Sequence, residues 1–457
     1  MRKIKHLTRQ IIKSYFCFCM HIFYRKIEVR GLKNIPKNKP VIFAGNHQLA
    51  ILDALLIVCS SKKQPSTLTS AFIFNSLILA KILSVLKLMP IYRIRDGVKS
   101  LQKNEEIFKR CNKLLSNNEA VTIFPEADQH ADRRLRPLTK GISRLAFKAE
   151  ESEDFKLNSV IVPVGINFSN QYNFNSKLFI NYGVPIEVKK YVQLYREHPQ
   201  KGMLKLKEKV AKSIRLLMID IKSNEYYKTI ELIREIFREN YADFLNINLK
   251  ELGDEFDVDK KLIQVLELID EVDHETLDEL EKLVTGYDNG LQKHNLRDWL
   301  IKKKEFSFPK TLLELSLGIV GLPLFLFGFL NNIIPYLFHM IFTRVIVDKQ
   351  FLPGVRISIS IFFFPIYYLL ILVLFSLLSV KVTFSLIYII ALPITGYYAL
   401  KYFIRIKKVL AKIRFVKLIR KKDDSTLNLI SLREKIIEIM DNVITKHDIA
   451  DKEQEEA

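Results

Sequence analysis

The chain has 457 residues, of which 49% are apolar and 26% are charged, so it is long enough for more than one domain. Lysine and arginine outnumber aspartate and glutamate by 71 to 50, and a net charge of +21 attracts either nucleic acid or an anionic membrane surface. We favour the membrane because basic residues flank apolar runs, as in 302–304 and 405–422, and because the sequence contains no nucleic-acid-binding motif.

Residues 1–30 are predicted to form a basic amphipathic helix. Charged residues recur through the segment and no small-residue cleavage site follows, which does not fit a signal peptide. A helix in the membrane interface and a helix in the core of the next domain both fit this pattern. The four cysteines are too few for a disulfide framework and lack zinc spacing, so we expect reduced thiols facing the cytoplasm at Cys17, Cys19, Cys59 and Cys111. Apolar packing is the preferred interpretation of the first two, with lipidation or metal binding as alternatives.

Residues 31–200 alternate short β-rich runs with helical stretches, which is the pattern of an α/β domain. The predicted strands lie in the runs PVIFAGN, AVTIFP, SVIVPVGINF and KLFINYGVPI. Residues 201–305 are charged and helically periodic, and they contain no cluster suited to catalysis. Their acidic patch, from Asp254 to Glu281, is interpreted as a solvated helix face.

Three long runs without Asp, Glu, Lys or Arg follow, which are Leu315 to Thr343, Ile357 to Val380 and Val382 to Leu400. A run of about 20 apolar residues is enough to cross the hydrocarbon core of a bilayer. We therefore predict a C-terminal α-helical membrane region over 306–404 and a basic cytoplasmic tail over 405–457. The predicted membrane segments are 312–343, 357–380 and 382–402.

The first of these segments is interrupted by Pro323, Gly328, Asn331, Asn332 and Pro335. Polar and helix-breaking residues at this depth usually mark a broken segment that protein shields from lipid. Three full crossings would place the basic tail opposite the α/β domain, against the tendency of Lys and Arg to stay in the cytoplasm. We therefore expect a re-entrant hairpin at 325–335, followed by two crossings that return the tail to the cytoplasm.

The first candidate catalytic block is NHQLAILD, directly after the strand predicted at Val41 to Ala44. A turn at Gly45 and Asn46 puts His47 between a strand and a helix, where a side chain can face a cleft. Asp53 lies six positions later, so the two side chains meet only if His47 precedes the regular helix. One interpretation is a general base with its orienting carboxylate. The other is that Asn46 caps the helix and His47 is an ordinary turn residue.

Two further blocks carry basic residues and a carboxylate. In MPIYRIR, Arg93 and Arg95 share one face of an extended segment, which suits bidentate phosphate binding or an exposed edge strand. In FPEADQHADRRLR, Glu126 follows an apolar strand and is expected to stay ionised beside positive charge, unless the segment is only a solvated loop. His130 is a second acid–base candidate, with a solvated loop histidine as the preferred interpretation. The basic residues that are candidates for holding phosphate are Arg133, Arg134, Arg136 and Lys140.

The last block, IVPVGI, is interpreted as a strand that is broken at Pro163. The strand could line a channel for an acyl chain or simply form part of the core. Together the blocks resemble the glycerol-3-phosphate and lysophosphatidate acyltransferase family over roughly residues 25–200. That family shows an N-H-x-S-x-x-D motif, then G-x-I-F-I-x-R, F-P-E-G-T-R-S and V-P-V-x-I. The corresponding segments here are NHQLAILD, MPIYRIR, FPEADQH and IVPVGI, in the same order.

The resemblance implies an acyltransferase of phospholipid biosynthesis. Acyl-CoA or acyl-carrier protein would donate a fatty acyl group directly to the hydroxyl of glycerol-3-phosphate or 1-acylglycerol-3-phosphate, without a covalent acyl-enzyme. His47 matches the position of the family's catalytic base, Asp53 its partner, and Glu126 the glutamate that contacts the acceptor. Arg95 matches the phosphate-binding arginine of the second motif. The side chains expected to hold phosphate are Arg93, Arg95, Arg133, Arg134 and Arg136. No metal or cofactor is implied.

Three departures from the family pattern are present. Five residues separate His47 from Asp53 where four are common, although glycerol-3-phosphate acyltransferases of eukaryotic type are similar in this respect. Ala127 and Asp128 replace the usual Gly-Thr and add negative charge near the expected phosphate site. Met89 replaces the glycine of the second block.

We expect a multi-pass protein of the cytoplasmic (inner) membrane, with its catalytic domain facing the cytoplasm and anionic lipids as partners. The Lys-, Ile- and Asn-rich composition is typical of a bacterium with an AT-rich genome. Two other classes stay open. A small transporter or scaffold is disfavoured because the apolar runs show neither a repeat nor an intramembrane charge. A catalytically inactive or regulatory lipid-binding protein is the alternative that the altered third block favours.

Overall fold

The computed structural model describes residues 2–49, 51–74, 77–92, 102–126, 132–344 and 352–456. The chain divides into two compact units. The first consists of 1–220 together with 342–361, and the second of 221–341 together with 362–457.

In the first unit, the described strands are β1 (Lys26–Arg30), β2 (Val41–Gly45), β3 (Ser66–Ser70), β4 (Leu88–Ile91), β5 (Ala120–Ile123), β6 (Val160–Phe168), β7 (Lys177–Tyr182) and β8 (Ile186–Glu187). The described helices are α1 (Arg2–Phe23), α2 (Ile51–Ser60), α3 (Leu77–Val85), α4 (Asn104–Ser116), α5 (Gly141–Glu151), α6 (Val192–Glu197) and α7 (Pro199–Arg215). Short 3₁₀ helices lie at Leu32–Asn34, Ala71–Phe74 and Val188–Tyr191. The mixture of strands and helices confirms the predicted α/β class.

The strands form one mixed sheet in the order β1–β7–β6–β2–β5–β3–β4, and β8 pairs with β6. The central strand β2 is parallel to β5 on one side and to β6 on the other, with Ala44 opposite both Ile123 and Pro163. Every residue of β2 is buried, which is typical of a parallel strand covered on both faces. The carboxyl ends of β2 and β5 therefore lie side by side, at the edge where open α/β sheets bind ligands.

The expectation that Pro163 breaks a strand is wrong, because β6 runs without interruption from Val160 to Phe168. On the edge away from β2, β6 pairs with β8 at Val160 and Ile161 and with β7 from Val164 onward. Pro163 lies between these two partners. A residue without a backbone N–H is tolerated at such a position because the ladder changes partner there.

Helix α7 packs against α5 and β6. Its side chains Leu206, Val210 and Ile214 belong to the apolar core that also contains Ile42 of the central strand. The α/β unit consequently extends to Asp220, past the boundary expected at residue 200.

Helix α1 has two kinds of apolar surface. It contacts α2, and its Phe16 and Met20 are buried, whereas Leu7, Ile11 and Phe18 are more than half exposed, at 62%, 61% and 62%. The buried pair fits the interpretation as a core helix. The exposed side chains leave a surface suited to a membrane interface.

The second unit is helical. Its described helices are α8 (Tyr227–Phe244), α9 (Leu252–Val272), α10 (His274–Lys293), α11 (Asp298–Lys303), α12 (Phe308–Thr343), α13 (Leu352–Leu377), α14 (Val382–Arg420) and α15 (Asp424–Glu456). One boundary between the units follows Asp220, and the other two fall inside α12 and α13. Helices α8 to α11 confirm the predicted helical region after the α/β domain. Helix α15 packs against α10, so the second half of the expected tail is part of this unit.

Three described helices are long and apolar enough to cross a membrane, over Pro309–Phe338, Gly354–Leu377 and Val382–Arg420. The re-entrant hairpin expected at 325–335 is wrong, because α12 continues as one helix through Pro323 and Pro335. The polar side chains that suggested a break have partners inside the protein. Asn332, for example, donates to the carbonyl oxygen of Leu392 on α14, 3.1 Å away. Neighbouring helices that satisfy polar groups in this way allow proline within a membrane helix.

Helices α12 and α14 run antiparallel to each other. Glu314, near the start of α12, forms an ion pair with Lys412 near the end of α14, their charged atoms 2.6 Å apart. The contact between Asn332 and Leu392 lies further along both helices. Arg414 also donates to a backbone carbonyl oxygen just beyond the end of α10. Helix α12 therefore begins, and α14 ends, beside the charged helices of the same unit.

Candidate active site

Asn46 fixes the start of the segment between β2 and α2. Its side chain donates to the carbonyl oxygen of Ile166 on β6, 3.0 Å away, and accepts from the N–H of the same residue at 2.7 Å. A buried amide that lost either partner would destabilise the fold by about 1–3 kcal/mol. The alternative in which Asn46 caps the next helix is wrong, because its side chain ties β2 to β6 and α2 begins only at Ile51.

His47 and Asp53 meet because His47 lies before the regular helix. The distance between His47 Nδ1 and Asp53 Oδ2 is 2.9 Å. Asp53 is fully buried in the first turn of α2, and the same oxygen accepts from the backbone N–H groups of Gln48 and Leu49 at 2.8 Å each. N–H groups at a helix N-terminus stabilise a carboxylate. A carboxylate beside Nδ1 holds the ring proton there, so Nε2 is the nitrogen that can accept a proton.

The imidazole of His47 is held by an aromatic ring. It stacks on Phe124, with ring centroids 4.5 Å apart and an interplanar angle of 20°. Gly45 leaves room for this stack, since a Cβ at that position would lie only 3.1 Å from the Phe124 ring. The His47 side chain nevertheless keeps 11% of its surface exposed. The ring is thus fixed in orientation while part of it remains accessible to a substrate.

Glu126 links His47 to the basic loop, which is the segment 133–140. It follows β5 and is 7% exposed. One carboxylate oxygen accepts from the backbone N–H of His47 at 2.8 Å, and the other accepts from the backbone N–H of Arg136 at 2.9 Å. The turn itself is closed by Thr139, whose N–H and hydroxyl both donate to the carbonyl oxygen of Pro125. Two adjacent strand ends and one loop are therefore joined through a single carboxylate.

The protonation of Glu126 differs from the expectation. Burial raises the pKa of Glu126 to about 7, although its two backbone hydrogen bonds and the charge of Arg136 act to lower the pKa. The expectation that nearby positive charge keeps this carboxylate fully ionised is wrong, because the loss of hydration outweighs those favourable interactions. At neutral pH a substantial fraction of the molecules therefore carry a neutral Glu126.

Three of the five arginines expected to hold phosphate are described. Arg133 is buried and donates to the carbonyl oxygen of the residue after β6, at 3.2 Å. Arg134 is half-buried. Arg136 has an exposed side chain. Its backbone N–H donates to Glu126, which also accepts from the backbone N–H of His47. Lys140 is also exposed and donates to a glutamine of α7 at 2.9 Å. Through Glu126, the backbone of Arg136 is thus joined to residues 46–49, the histidine loop between β2 and α2.

Other predicted positions lie outside the described residues, namely Arg93, Arg95, Ala127, Asp128 and His130. Met89 is described, and it is buried in the apolar core on β4. The roles assigned to Arg93 and Arg95 stay predictions.

Sequence reasoning did not single out Phe124 or the bond between Asn46 and β6. The available signal for Phe124 was its place at the end of a predicted strand, two residues before Glu126. Nothing in the sequence connects Asn46 with Ile166, which lies 120 positions away.

The assembled side chains are suited to moving a proton. Nε2 of His47 can accept it, and Asp53 can stabilise the imidazolium that results. Glu126 holds the backbone of the histidine in place. Within the ranges that the structure describes, no three His, Cys, Asp or Glu side chains are grouped to hold a metal ion.

The family model described as Acyltransferase matches residues 26–167, which contain His47, Asp53 and Glu126. Residues 26–167 form an acyltransferase domain. The match confirms the resemblance inferred from the four blocks and covers the chain from β1 almost to the end of β6.

Curated relatives are similar to parts of the chain. Glycerol-3-phosphate O-acyltransferase 1 of Saccharomyces cerevisiae is 22% identical over 219 residues, which are 47% of this chain and 28% of that protein. Glycerol-3-phosphate O-acyltransferase 2 of the same yeast is 30% identical over 112 residues, or 24% and 15% of the two chains. The 1-acyl-sn-glycerol-3-phosphate acyltransferase of Borreliella burgdorferi is 26% identical over 188 residues, or 40% and 64%. The chain therefore spans less than two thirds of each of these proteins.

A solved structure is also similar, the crystal structure of the 1-acyl-sn-glycerophosphate (LPA) acyltransferase, PlsC, from Thermotoga maritima. It is 19% identical and has a TM-score of 0.32, with 45% of this chain and 82% of that chain covered.

Proposed function

We propose that the chain is a membrane-bound O-acyltransferase of glycerophospholipid synthesis, which esterifies a hydroxyl group of a glycerol phosphate. The bond of 2.9 Å between His47 Nδ1 and Asp53 Oδ2 carries the proposal, because it leaves Nε2 as a proton acceptor in a partly exposed ring. The acyltransferase domain over 26–167 supports the reaction class, and the three apolar helices support association with a membrane.

In the proposed reaction, His47 acts as general base. Nε2 removes the proton of the acceptor hydroxyl while its oxygen attacks the carbonyl carbon of an acyl thioester. The carbon–sulfur bond then breaks, and the imidazolium returns the proton to the departing thiolate. Asp53 stabilises the imidazolium and keeps the ring in the required tautomer. A positioned acid–base group of this kind contributes about 10²–10⁴-fold to the rate.

Basic residues are proposed to bind the acceptor phosphate through charge and positioning. Arg136 is supported by its place beside the histidine loop. Arg133 and Arg134 lie on the same loop, and Arg93 and Arg95 are proposed from the sequence alone. The relatives are named for two acceptors, glycerol-3-phosphate and its 1-acyl derivative. We propose that this chain uses one of them, and both are tested as acceptors. The proposed donor is acyl-CoA or acyl-carrier protein.

We further propose that α8 to α11 and the tail after α14 lie in the cytoplasm. Helix α12 begins and α14 ends beside these charged helices, so all of them lie on one side of any membrane that the α12–α14 pair crosses. In this arrangement α13 begins and ends on the other side and does not make a third full crossing. The stretch 405–422 is strongly basic, and such stretches stay in the cytoplasm. The test is labelling of a single cysteine at Ser425 in a variant without the four native cysteines. Reaction with an impermeant maleimide on intact cells, before permeabilisation, would contradict this orientation.

The test of the reaction uses the purified full chain in detergent with labelled acyl-CoA, and glycerol-3-phosphate or 1-acylglycerol-3-phosphate as acceptor. Wild type, His47→Ala and His274→Ala are compared, the last being an exposed histidine outside the acyltransferase domain. We expect product with one acceptor, a loss of about 10²–10⁴-fold for His47→Ala, and an unchanged rate for His274→Ala.

Two outcomes would overturn the proposal. Acyl transfer that survives His47→Ala at the wild-type rate would remove His47 as the base. A lack of product with both acceptors, also after acyl-carrier protein replaces CoA, would instead favour a lipid-binding protein without turnover.

A further inference from the structure

A cavity of about 260 Å³ lies in the second unit, where α11, α12 and α14 meet. The residues that line it are Trp299, Glu314, Arg405, Lys408, Val409 and Lys412. None of them belongs to the acyltransferase domain at 26–167, and the mechanism proposed above uses none of them.

The cavity has an excess of positive charge. Its carboxylate, Glu314, is paired with Lys412, their charged atoms 2.6 Å apart. Arg405 and Lys408 are exposed, and among the described residues neither side chain has an ion pair or hydrogen bond. Two positive charges therefore face the cavity without a described partner, so the ligand that fits it is an anion.

The cavity lies at the ends of two membrane runs. The uncharged run of α12 begins at Leu315, and that of α14 ends at Leu400. Arg405, Lys408 and Lys412 follow at positions i, i+3 and i+7, on one face of α14. In a bilayer crossed by these helices, this is the level of the lipid phosphates, where basic pockets between helices bind anionic headgroups.

The aromatic side chains at and beside the cavity are also typical of the level of the lipid headgroups. Tryptophan concentrates at the boundary between membrane and water. Trp299 packs edge-to-face against Phe306, with centroids 5.8 Å apart, and Phe306 packs in the same way against Phe415 at 5.9 Å. On α12, Leu313 and Leu317 flank Glu314 and are 60% and 49% exposed, which leaves an apolar surface for an acyl chain.

We propose that this cavity binds the phosphate headgroup of an anionic membrane phospholipid. Arg405 and Lys408 contact the phosphate, and the acyl chains lie along the exposed apolar face of α12. Pockets that enclose whole drug-sized ligands measure about 300–1,000 Å³, so a cavity of about 260 Å³ is sized for a headgroup whose chains remain in the bilayer. The proposal concerns binding only and does not depend on acyl transfer.

The test uses the fluorescence of Trp299, which is the only tryptophan in the sequence and lines the cavity. The full chain in detergent is titrated with phosphatidylglycerol or phosphatidylcholine, both with brominated acyl chains that quench tryptophan on contact. We expect phosphatidylglycerol to quench at a concentration roughly thirtyfold lower, since each of the two basic residues adds about 1 kcal/mol of attraction. Inorganic phosphate at the same ionic strength should not reverse the quenching.

The matched variants separate the cavity from general attraction to a basic helix. Arg405→Gln with Lys408→Gln should abolish the preference for phosphatidylglycerol. Lys407→Gln with Lys417→Gln removes the same charge from exposed positions of α14 outside the cavity, and should keep the preference. Arg405→Lys with Lys408→Arg preserves both charges and should also keep it.

The results decide the proposal in either direction. Equal quenching by the two lipids in the wild type, an equal loss in both double Gln variants, or reversal by inorganic phosphate would overturn it. If Arg405→Gln with Lys408→Gln fails to fold in a thermal melt, the single variant Lys408→Gln takes its place, and an undiminished preference in that variant would overturn the proposal.

Discussion

The surroundings of His47 and the apolar helices α12 to α14 both contain buried polar side chains, and the chemistry of these side chains differs. Around His47 they include two carboxylates, Asp53 on α2 and Glu126 after β5, which accept hydrogen bonds from a ring and from backbone N–H groups. In the apolar helices α12 to α14 the corresponding groups are neutral. There, Tyr368 on α13 donates to the side chain of Asn332 on α12 at 2.7 Å, and Asn332 donates to Leu392 on α14.

The neighbouring Asn331 continues the neutral network. The hydroxyl of Tyr367 donates to its carbonyl oxygen at 3.0 Å, and Tyr388 bonds to its side-chain oxygen. An ionised group within a bilayer is destabilising, whereas an amide bonded to a hydroxyl is tolerated. Ionisable groups thus surround the histidine that is proposed to move a proton, whereas neutral groups join the middle of α12 to α13 and α14.

The largest expected effect comes from removing the charge of Asp53. In Asp53→Asn the amide cannot stabilise an imidazolium and favours the wrong ring tautomer, so we expect kcat to fall by about 10²–10⁴-fold. The control is Asp154→Asn, an exposed aspartate of the same unit. Acyl transfer is measured together with thermal unfolding, so that the rate refers to folded protein. A rate within a factor of about two of the wild type would show that the charge at this site is structural only.

The second effect is a pH dependence of the free energy of unfolding, which arises from the raised pKa of Glu126. Its pKa is about 7 in the folded protein, whereas the ordinary pKa of a hydrated glutamate is 4.5. Between these values the folded state binds more protons than the unfolded state, so stability falls as the pH rises, by roughly 3 kcal/mol in total. Glu126→Gln should lack this decline. The measurement is the free energy of unfolding from pH 4.5 to 8.

Glu208→Gln is the control for this experiment, because Glu208 is exposed on α7. It should keep the decline of the wild type. An identical pH profile for Glu126→Gln and wild type would mean that hydration of Glu126 is not lost on folding, and that this carboxylate is ionised at neutral pH.

Parts of the sheet were predictable because their sequences are apolar and β-branched. VIFAG in β2 and AVTI in β5 are of this kind, whereas β3 has the polar sequence STLTS and is a strand because it pairs with β4 and β5. The meeting of His47 and Asp53 was one of two interpretations of the motif, and the family resemblance favoured it. The raised pKa of Glu126 did not, since a sequence shows nearby arginines but not the loss of water around a carboxylate.

The membrane region shows the same limit. Pro323, Pro335 and the two asparagines are the usual signals for a broken segment. The partner that satisfies Asn332 lies 60 residues away, on a helix whose register the sequence does not reveal. Long-range hydrogen bonds therefore decided both corrections that matter for function, the continuous α12 and the place of Asn46.

The third effect concerns how closely the membrane helices approach. A Cβ at Gly328 on α12 would lie 2.1 Å from the carbonyl oxygen of Thr395 on α14, whereas a Cβ at Gly286 on α10 would meet nothing within 4 Å. Gly328→Ala should therefore destabilise the protein by about 1–3 kcal/mol, and Gly286→Ala should stabilise it by up to about 1 kcal/mol. Thermal unfolding in detergent measures both. A change of the same sign in the two variants would contradict the close packing of α12 on α14.

The smallest effect tests whether the neutral network stabilises the bundle or only specifies its packing. Asn332→Leu removes the acceptor of Tyr368 and the donor to Leu392. Bonds of this kind in membranes are worth about 0.6 kcal/mol on average and up to about 1.7. A double-mutant cycle of Asn332→Leu with Tyr368→Phe should therefore give a coupling near 1 kcal/mol, and Ser316→Leu, whose hydroxyl bonds only to its own helix, should show none with Tyr368→Phe. A coupling of zero would mean that the network aligns the helices without stabilising them. Replacing both neutral groups by apolar ones would then change the free energy of unfolding little. The carboxylate of Asp53 cannot be replaced in that way, since a ring that must become positively charged needs its counter-charge in place.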